Sequence, residues 1–127
     1  MKMILLLFVT VVVFLLACGG LHPDKVKPFI PGTYYASWTT SFSHAIDTLT
    51  ITPVTLNGSE GYVITRRTHL DFIHAAKKRA PEYSISHWQG SYNAAAKTIV
   101  VQSNGRVLNF DPGNKLLKMG AIVYRKL

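Results

Sequence analysis

Short runs of β-branched, aromatic and aliphatic residues, separated by turn residues about every ten positions, dominate residues 32–127. Residues 47–52 alternate strictly, with Leu49 and Ile51 on one side and threonines on the other, which is the period of a half-buried strand. No alternation of strands with helices is present, so a parallel sheet is not expected. The pattern predicts an all-β domain, an antiparallel meander of about seven or eight short strands closed into a small barrel or sandwich.

The most specific local prediction is a β-hairpin over residues 98–110. Asn104-Gly105 lies between two apolar runs, and both residue types tolerate the positive φ angles of a tight hairpin turn. The expected arrangement places Ile99 and Val101 on one face, with the side chains of Leu108 and Phe110 buried.

Further turns are predicted at residues 57–61 and 111–114, where Asn, Gly, Asp and Pro cluster. Residues 70–79 are the only segment whose pattern allows a helical turn or two, and Pro81 would end it.

The N-terminus has the organisation of a signal peptide. Residues 4–17 are apolar and uncharged and follow Lys2. This stretch is too short to span comfortably the ~30 Å of hydrocarbon in a bilayer. Leu15-Leu16-Ala17-Cys18 resembles the bacterial lipobox, which implies a signal peptide over residues 1–17, cleavage before Cys18 and lipidation of its thiol. An uncleaved anchor helix, or an ordinary secretory signal with a chance cysteine, is the alternative.

The remaining chain divides into a tether and one domain. Residues 19–31 contain two glycines and three prolines, so we expect residues 18–31 to form the lipidated Cys and a flexible tether. Residues 32–127 are long enough for a single core. The single cysteine excludes an intramolecular disulfide framework and a multi-cysteine metal site.

Residues after the cysteine bear on the membrane in which a bacterial lipoprotein resides. Gly19 and Gly20 follow Cys18, without the Asp linked to retention in the inner membrane and without the acidic run linked to surface export. The expected localisation is therefore the outer membrane, lipid-anchored, on the periplasmic face rather than the cell surface.

Five structural motifs are spread over residues 29–127. They are Phe29-Ile30-Pro31-Gly32-Thr33-Tyr34, Asp47-Thr48-Leu49-x-Ile51, Tyr62-x-Ile64-x-Arg66-Arg67, Trp88-x-Gly90-x-Tyr92 and Tyr124-Arg125-Lys126-Leu127. Together these motifs resemble a group of small Bacteroidota outer-membrane lipoproteins, often linked to conjugative-transposon genes. The resemblance implies a shared fold and a cell-envelope setting rather than a shared chemistry. Gly32-Thr33-Tyr34 also resembles the Gly-x-Trp opening of lipocalin-like barrels, with Tyr in place of Trp.

No motif indicates catalysis. The histidines lack the spacing of a zinc site; they are His22, His44, His69, His74 and His87. The six acidic residues are interpreted as turn or capping residues, and neither a nucleophile elbow nor a glycine-rich phosphate loop occurs. We therefore expect no metal, no cofactor and no enzymatic activity.

The chain carries a net charge of +8, and five cations within residues 66–79 are opposed there only by Asp71. They are Arg66, Arg67, Lys77, Lys78 and Arg79. This set is the candidate contact surface for an acidic envelope protein, or for an anionic glycan or lipid. The alternative is a solvated surface that keeps the domain soluble. Nucleic acid is not expected as a partner in the envelope. Arg66 and Arg67 point to opposite faces of a regular strand, so at most one shares a surface with the lysines.

Aromatic residues are expected in the core rather than around a ligand cavity. Trp88, Gly90 and Tyr92 share one face by parity, and Gly90 would leave room for a neighbouring ring. The sequence favours a lipid-anchored envelope protein with a binding or structural role, with conjugative transfer as one setting. A lipocalin-like carrier of small ligands and an inhibitor of an envelope hydrolase are the alternatives, and residues 70–83 would supply the inhibitory loop.

Overall fold

The computed structural model describes residues 23–73 and 79–127, which form a closed barrel of eight antiparallel strands paired in chain order. The prediction of an all-β meander is confirmed, and the barrel rather than the sandwich is the form adopted. The strands are β1 (Gly32–Thr39), β2 (Ser43–Leu56), β3 (Ser59–Phe72), β4 (Glu82–Asn93), β5 (Thr98–Val101), β6 (Val107–Asp111), β7 (Leu116–Met119) and β8 (Ile122–Lys126). A 3-10 helix, Lys27–Phe29, precedes them.

The predicted hairpin over residues 98–110 is confirmed as β5 and β6, with Ile99 opposite Leu108 and both side chains fully buried. Phe110 is half-buried and packs against the core. The turn is longer than an Asn-Gly turn of two residues, because residues 102–106 lie outside both strands. Gly105 has a positive φ of 68°, and its amide donates to the carbonyl of Val101 at 2.9 Å.

The other Asn-Gly pair makes the tight turn. Leu56 pairs with Ser59 across Asn57-Gly58, and the φ angles of these two residues are 48° and 79°. Two consecutive positive φ angles are the signature of a type I′ hairpin turn, whose twist matches that of the flanking strands.

The barrel is closed over only part of its height because its strands differ in length. β2 and β3 have 14 residues each and β4 has 12, whereas β5 to β8 have four or five. β4 pairs with β5 only over residues 90–93, and β1 pairs with β8 only at Tyr34 and Tyr35. Beyond these contacts, β1 to β4 continue as an open four-stranded sheet. We call this side of the barrel the open end.

The helical turn predicted within residues 70–79 is wrong for its first part. Leu70 and Phe72 continue the inward alternation of β3 and pair with Ala45 and Ser43 of β2. The amide of Ile73 also donates to the carbonyl of Phe42 at 2.8 Å. Pairing with a long neighbouring strand therefore extends β3 through Phe72. Residues 74–78 lie outside the described residues.

Side chains from seven strands and from the segment before β1 fill the closed part of the barrel, and β4 contributes the partly buried Trp88 and Tyr92 at its boundary. The buried core is composed of Val26, Ile30, Tyr34, Ala36, Leu49, Ile51, Tyr62, Ile64, Ile99, Val101, Leu108, Leu117, Met119 and Tyr124. Gly90 allows a close approach here, since a Cβ at this position would lie 2.5 Å from Cγ2 of Ile99. The space beside Gly90 is thus taken by an isoleucine, not by the aromatic ring that we expected.

The end opposite the open end is plugged by the segment before β1. Val26 is 6% exposed and Ile30 is fully buried in the core. The Tyr34 hydroxyl lies 2.9 Å from the carbonyl oxygens of both Phe29 and Ile30 and donates to them. The ring of Phe29 meets that of Tyr34 edge to face at 5.8 Å. We call this side the plugged end.

The predicted boundary between tether and domain is therefore wrong. Residues 24–31 belong to the folded domain rather than to a flexible tether, and residues 18–22 lie outside the described residues. Glycine and proline break long helices, but a single 3-10 turn accommodates proline in its first positions. The apolar side chains of Val26 and Ile30 then supply the burial that holds the segment in place.

Candidate binding surface at the open end

Four large apolar side chains are exposed at the open end and form what we call the tip patch. Phe42 and Tyr83 are each 73% exposed, Ile85 is 60% exposed and Ile73 is 45% exposed. They form two pairs, because Phe42 lies opposite Ile73 in the continuation of β2 and β3, and Tyr83 and Ile85 are two residues apart on one face of β4. Burying one such side chain contributes about 1.5–3 kcal/mol, so a sheet face that exposes several of them is a candidate site of interaction.

Strand register places the tip patch on the outer face of the sheet. Odd-numbered residues of β2 and even-numbered residues of β3 and β4 point inward, as the burial of Leu49, Ile64 and Gly90 shows. Tyr83 and Ile85 therefore point outward, as Ile73 and Phe42 do in the continuation of β3 and β2. The hairpin that joins β1 to β2 is rigid at this point, because Thr40 Oγ1 accepts from the amides of Phe42 at 3.3 Å and Ser43 at 3.1 Å.

Polar side chains lie between the members of the tip patch. The His69 ring stacks on Tyr83 with 4.4 Å between the ring centroids, and its Nε2 lies 3.0 Å from an Asp71 carboxylate oxygen. Arg67 is directly opposite Ile85 on β3 and is exposed. The outer face of the open end thus combines apolar contact area with a free guanidinium group, a composition typical of interaction hot spots.

Arg66 does not belong to this outer surface. Its side chain is only 17% exposed, and its Nη2 lies 2.7 Å from Oδ2 of Asp47, which is fully buried. Arg66 Nε also donates to both carboxylate oxygens, at 3.1 and 2.9 Å. The two arginines thus lie on opposite faces of β3, and only Arg67 is available outside.

Asp47 is the centre of a buried polar cluster rather than a turn or capping residue as expected. Besides Arg66, it accepts hydrogen bonds from the Thr68 hydroxyl at 3.1 Å and the Tyr124 hydroxyl at 2.7 Å. Burial and the hydrogen bond to Asp47 raise the pKa of Tyr124 above its usual range. A buried charge is tolerated only when paired and hydrogen-bonded, and Asp47 satisfies both conditions.

Of the other predicted basic residues, Lys77, Lys78 and Arg79, the structure describes only Arg79. The guanidinium of Arg79 lies 4.2 Å above the Phe72 ring, and its Nη2 is 3.0 Å from a Glu82 carboxylate oxygen. Lys77 and Lys78 lie outside the described residues, as does Cys18. Arg67 and Arg79 are consequently the members of the set that the structure places at the surface of the open end.

The plugged end is held by other polar contacts. The Tyr92 hydroxyl donates to Asp24 Oδ2 at 2.6 Å, and Asp24 Oδ1 accepts from the amide of Val26 at 2.9 Å. The hydrogen bond from Tyr92 holds the pKa of Asp24 below its ordinary value of 3.8, whereas burial and the same bond raise the pKa of Tyr92 to about 12. Lys27 pairs with Glu60 at 2.8 Å near by.

The histidines and carboxylates do not assemble a metal centre in the described residues, where no three such side chains converge. His44 Nδ1 lies 2.8 Å from the Thr39 hydroxyl, and His87 Nδ1 lies 3.2 Å from the Thr65 hydroxyl. In each of these two contacts, one ring nitrogen of the histidine meets a threonine hydroxyl on the neighbouring strand.

A surface groove runs beside β4 below the tip patch. It has a volume of about 460 Å³ and is lined by Val63, His87, Trp88, Gln89, Gln102 and Ser103. The groove lies where β4 continues past the end of β5, so it connects the closed part of the barrel to the open sheet.

The outward positions of β4 in the tip patch are not among the residues that the sequence predicts as a binding surface. The parity that assigns Trp88, Gly90 and Tyr92 to the core also places Tyr83 and Ile85 on the opposite face. The alternation along β4 is therefore sufficient to predict that the apolar side chains of Tyr83 and Ile85 lie at outward positions. That Phe42 and Ile73 join them depends on the pairing of β2 with β3.

Comparison of the chain with protein-family models, with curated proteins and with solved structures finds no match. No helix within residues 23–73 and 79–127 is long and apolar enough to cross a bilayer.

Proposed function

We propose that this chain is a lipid-anchored protein of the bacterial cell envelope that binds a partner protein through the open end of its barrel. The observation that carries the proposal is the tip patch, four exposed apolar side chains on a rigid sheet at the end away from the N-terminal segment. The role is binding or structural rather than enzymatic.

Anchoring at Cys18 would orient the barrel. Asp24 is fixed at the plugged end by Tyr92, and the six residue-to-residue steps from Cys18 to Asp24 reach at most about 20 Å when fully extended. The plugged end would then lie next to the membrane, and the tip patch would face away from it. The proposed location is the periplasmic face of the outer membrane, and the resemblance to conjugation-linked lipoproteins makes conjugative transfer a setting to test.

Packing of the barrel supports binding at the surface over transport of a ligand inside. Tyr34, Tyr124 and Leu49 occupy the centre of the closed part and are fully buried. Inhibition of an envelope hydrolase is the second candidate function, and the observation that favours it is the projection of β3 and β4 beyond the shorter strands. Both functions use the open end, and they differ in the identity of the partner.

Two experiments test the anchor and the surface. Replacing Cys18 with Ser should abolish lipid labelling and release the chain from the membrane fraction; membrane attachment without a lipid label would indicate an anchor helix instead.

For the surface, the intact acylated chain is purified from its host envelope, and the co-purifying proteins are quantified for the wild type and for the double variant Phe42→Ser, Ile73→Ser. The matched control is Val100→Ser, Val123→Ser, which removes two exposed valines from the short strands. At least a tenfold loss of specific partners is expected for the tip-patch variant only. Equal recovery with both variants would contradict the proposal.

A further inference from the structure

The part of β4 at the open end has a free edge. Residues 82–90 pair with β3 on one side, but β5 covers only residues 90–93 on the other side. In an antiparallel strand, the backbone groups of residues two apart point to the same side. The Gln89 carbonyl accepts from the amide of Gln102, on the side away from β3. The N–H and C=O groups of Tyr83, Ile85 and His87 therefore point away from β3, and no described strand pairs with them.

This edge lacks the features that usually block strand addition. Natural edges are protected by charged side chains, by proline or by bulges, but the pairing of β4 with β3 runs without a bulge from Glu82 to Gly90. The outward side chains in the middle of the edge are Tyr83 and Ile85, both exposed and neither acidic nor basic in residue type. At ~3.3 Å per residue, residues 83–87, which leave out Glu82, offer about 17 Å of edge.

Positive charge flanks the edge on both faces of the sheet. Arg67 lies opposite Ile85 on the outer face. On the inner side the Arg106 guanidinium lies 5.2 Å from the Trp88 ring, where the free edge ends. Within the described residues, neither arginine forms an ion pair, whereas the acidic Glu82 is paired with Arg79. A second copy of the chain on this edge would bring these like charges together, so an acidic segment fits better.

We propose that the free edge of β4, residues 83–87, binds an extended acidic segment of a partner protein as an added β-strand. Backbone hydrogen bonds supply sequence-independent affinity in this mode of recognition, and side chains supply the selectivity. Carboxylates of the segment would contact Arg67 and Arg106. The inference rests on the proposed function, because it describes how the partner engages the open end.

The test uses the full-length acylated chain in detergent micelles and a synthetic seven-residue peptide, acetyl-Asp-Val-Thr-Val-Thr-Asp-Val-amide, whose two aspartates lie on opposite faces of an extended strand. On binding, hydrogen exchange at the amides of Tyr83, Ile85 and His87 should slow at least tenfold. A peptide with both aspartates replaced by lysine should bind at least tenfold more weakly. Methylating one set of alternate peptide amides should abolish binding, whereas methylating the other set should leave it unchanged, because only one set faces the edge.

Variants of the chain locate the peptide. Ile85→Glu adds a negative charge in the middle of the edge and should weaken binding of the acidic peptide at least tenfold. Val123→Glu makes the same change at an exposed outward position of β8 and should weaken it less than twofold. Arg106→Gln changes a residue in the loop between β5 and β6, so it tests the same site if Ile85→Glu fails to fold. It should weaken binding of the acidic peptide at least fivefold.

Three results would overturn strand addition: no slowing of exchange at millimolar peptide, equal binding of the aspartate and lysine peptides, or slow exchange of the edge amides that depends on protein concentration alone. The last would indicate a second copy on the edge. If the peptide fails but Phe42→Ser, Ile73→Ser still releases the envelope partner, strand addition fails and the proposed function stands.

Discussion

Isoleucine side chains are buried at one end of this barrel and exposed at the other. At the plugged end, the isoleucine that follows the 3-10 helix, Ile30, is fully buried and seals the core. At the open end, Ile73 and Ile85 lie on a projecting sheet and are 45% and 60% exposed. One end thus buries its apolar side chains and the other leaves apolar surface exposed. The difference arises from the face on which each side chain lies, since Ile30 points into the closed barrel whereas Ile73 and Ile85 are at outward positions of the sheet.

The largest expected effect comes from the polar cluster inside the barrel between the two ends. Asp47→Ala leaves Arg66 buried without its partner, and such a change typically costs about 3–5 kcal/mol of unfolding free energy. Chemical denaturation monitored by tryptophan fluorescence measures it. The double variant Asp47→Ala, Arg66→Met should recover part of the loss, since removing both charges removes the desolvation cost but leaves the buried Tyr124 hydroxyl without its acceptor. A double variant as unstable as Asp47→Ala alone would contradict this account.

The next effect contrasts the two ends directly. Ile30→Ala creates a cavity beneath the plug and should cost about 3 kcal/mol of unfolding free energy. Ile85→Ala makes the identical chemical change at the open end and should alter stability by less than about 0.5 kcal/mol. Denaturation midpoints of both variants give the comparison, and equal losses would show that the plug does not stabilise the barrel.

A smaller effect is expected at the β5–β6 turn. Gly105 has a φ of 68°, and no atom lies within 4 Å of a Cβ built there. Gly105→Val should therefore destabilise the chain by ~1 kcal/mol or more through backbone strain alone. Gly105→Asn, which tolerates positive φ, is the control and should cost less. Equal costs for Val and Asn would point to a packing effect instead.

The smallest effect concerns pH at the plugged end. The folded chain holds the pKa of Asp24 below 3.8, chiefly through Tyr92. The ionised carboxylate therefore stabilises the fold at pH values above 3.8, and this stabilisation is lost as the pH falls below that value. Tyr92→Phe should weaken the pH dependence of the unfolding free energy between pH 4 and pH 2. An unchanged pH profile would show that Asp24 is held by its backbone contacts alone.

Local chemistry determined much of this fold. Strict alternation in residues 47–52 and the Asn-Gly pair at residues 104–105 were sufficient to predict strands and a hairpin, because side-chain period and turn geometry act over a few residues. The class of fold followed from the repetition of such segments. The same reasoning placed Arg66 and Arg67 on opposite faces of one strand.

Long-range pairing decided the rest. Residues 24–31 contain two prolines and belong to a segment with the composition of a tether, yet they pack into the barrel because Val26 and Ile30 find an apolar opening that only the closed barrel creates. Asp47 belongs to a regular strand, and its buried role depends on the arrival of Arg66 and Tyr124 from positions 19 and 77 residues away. The open end likewise depends on the register of four strands. The alternation of residues predicts which side chains share a face, but only tertiary pairing decides whether that face is covered.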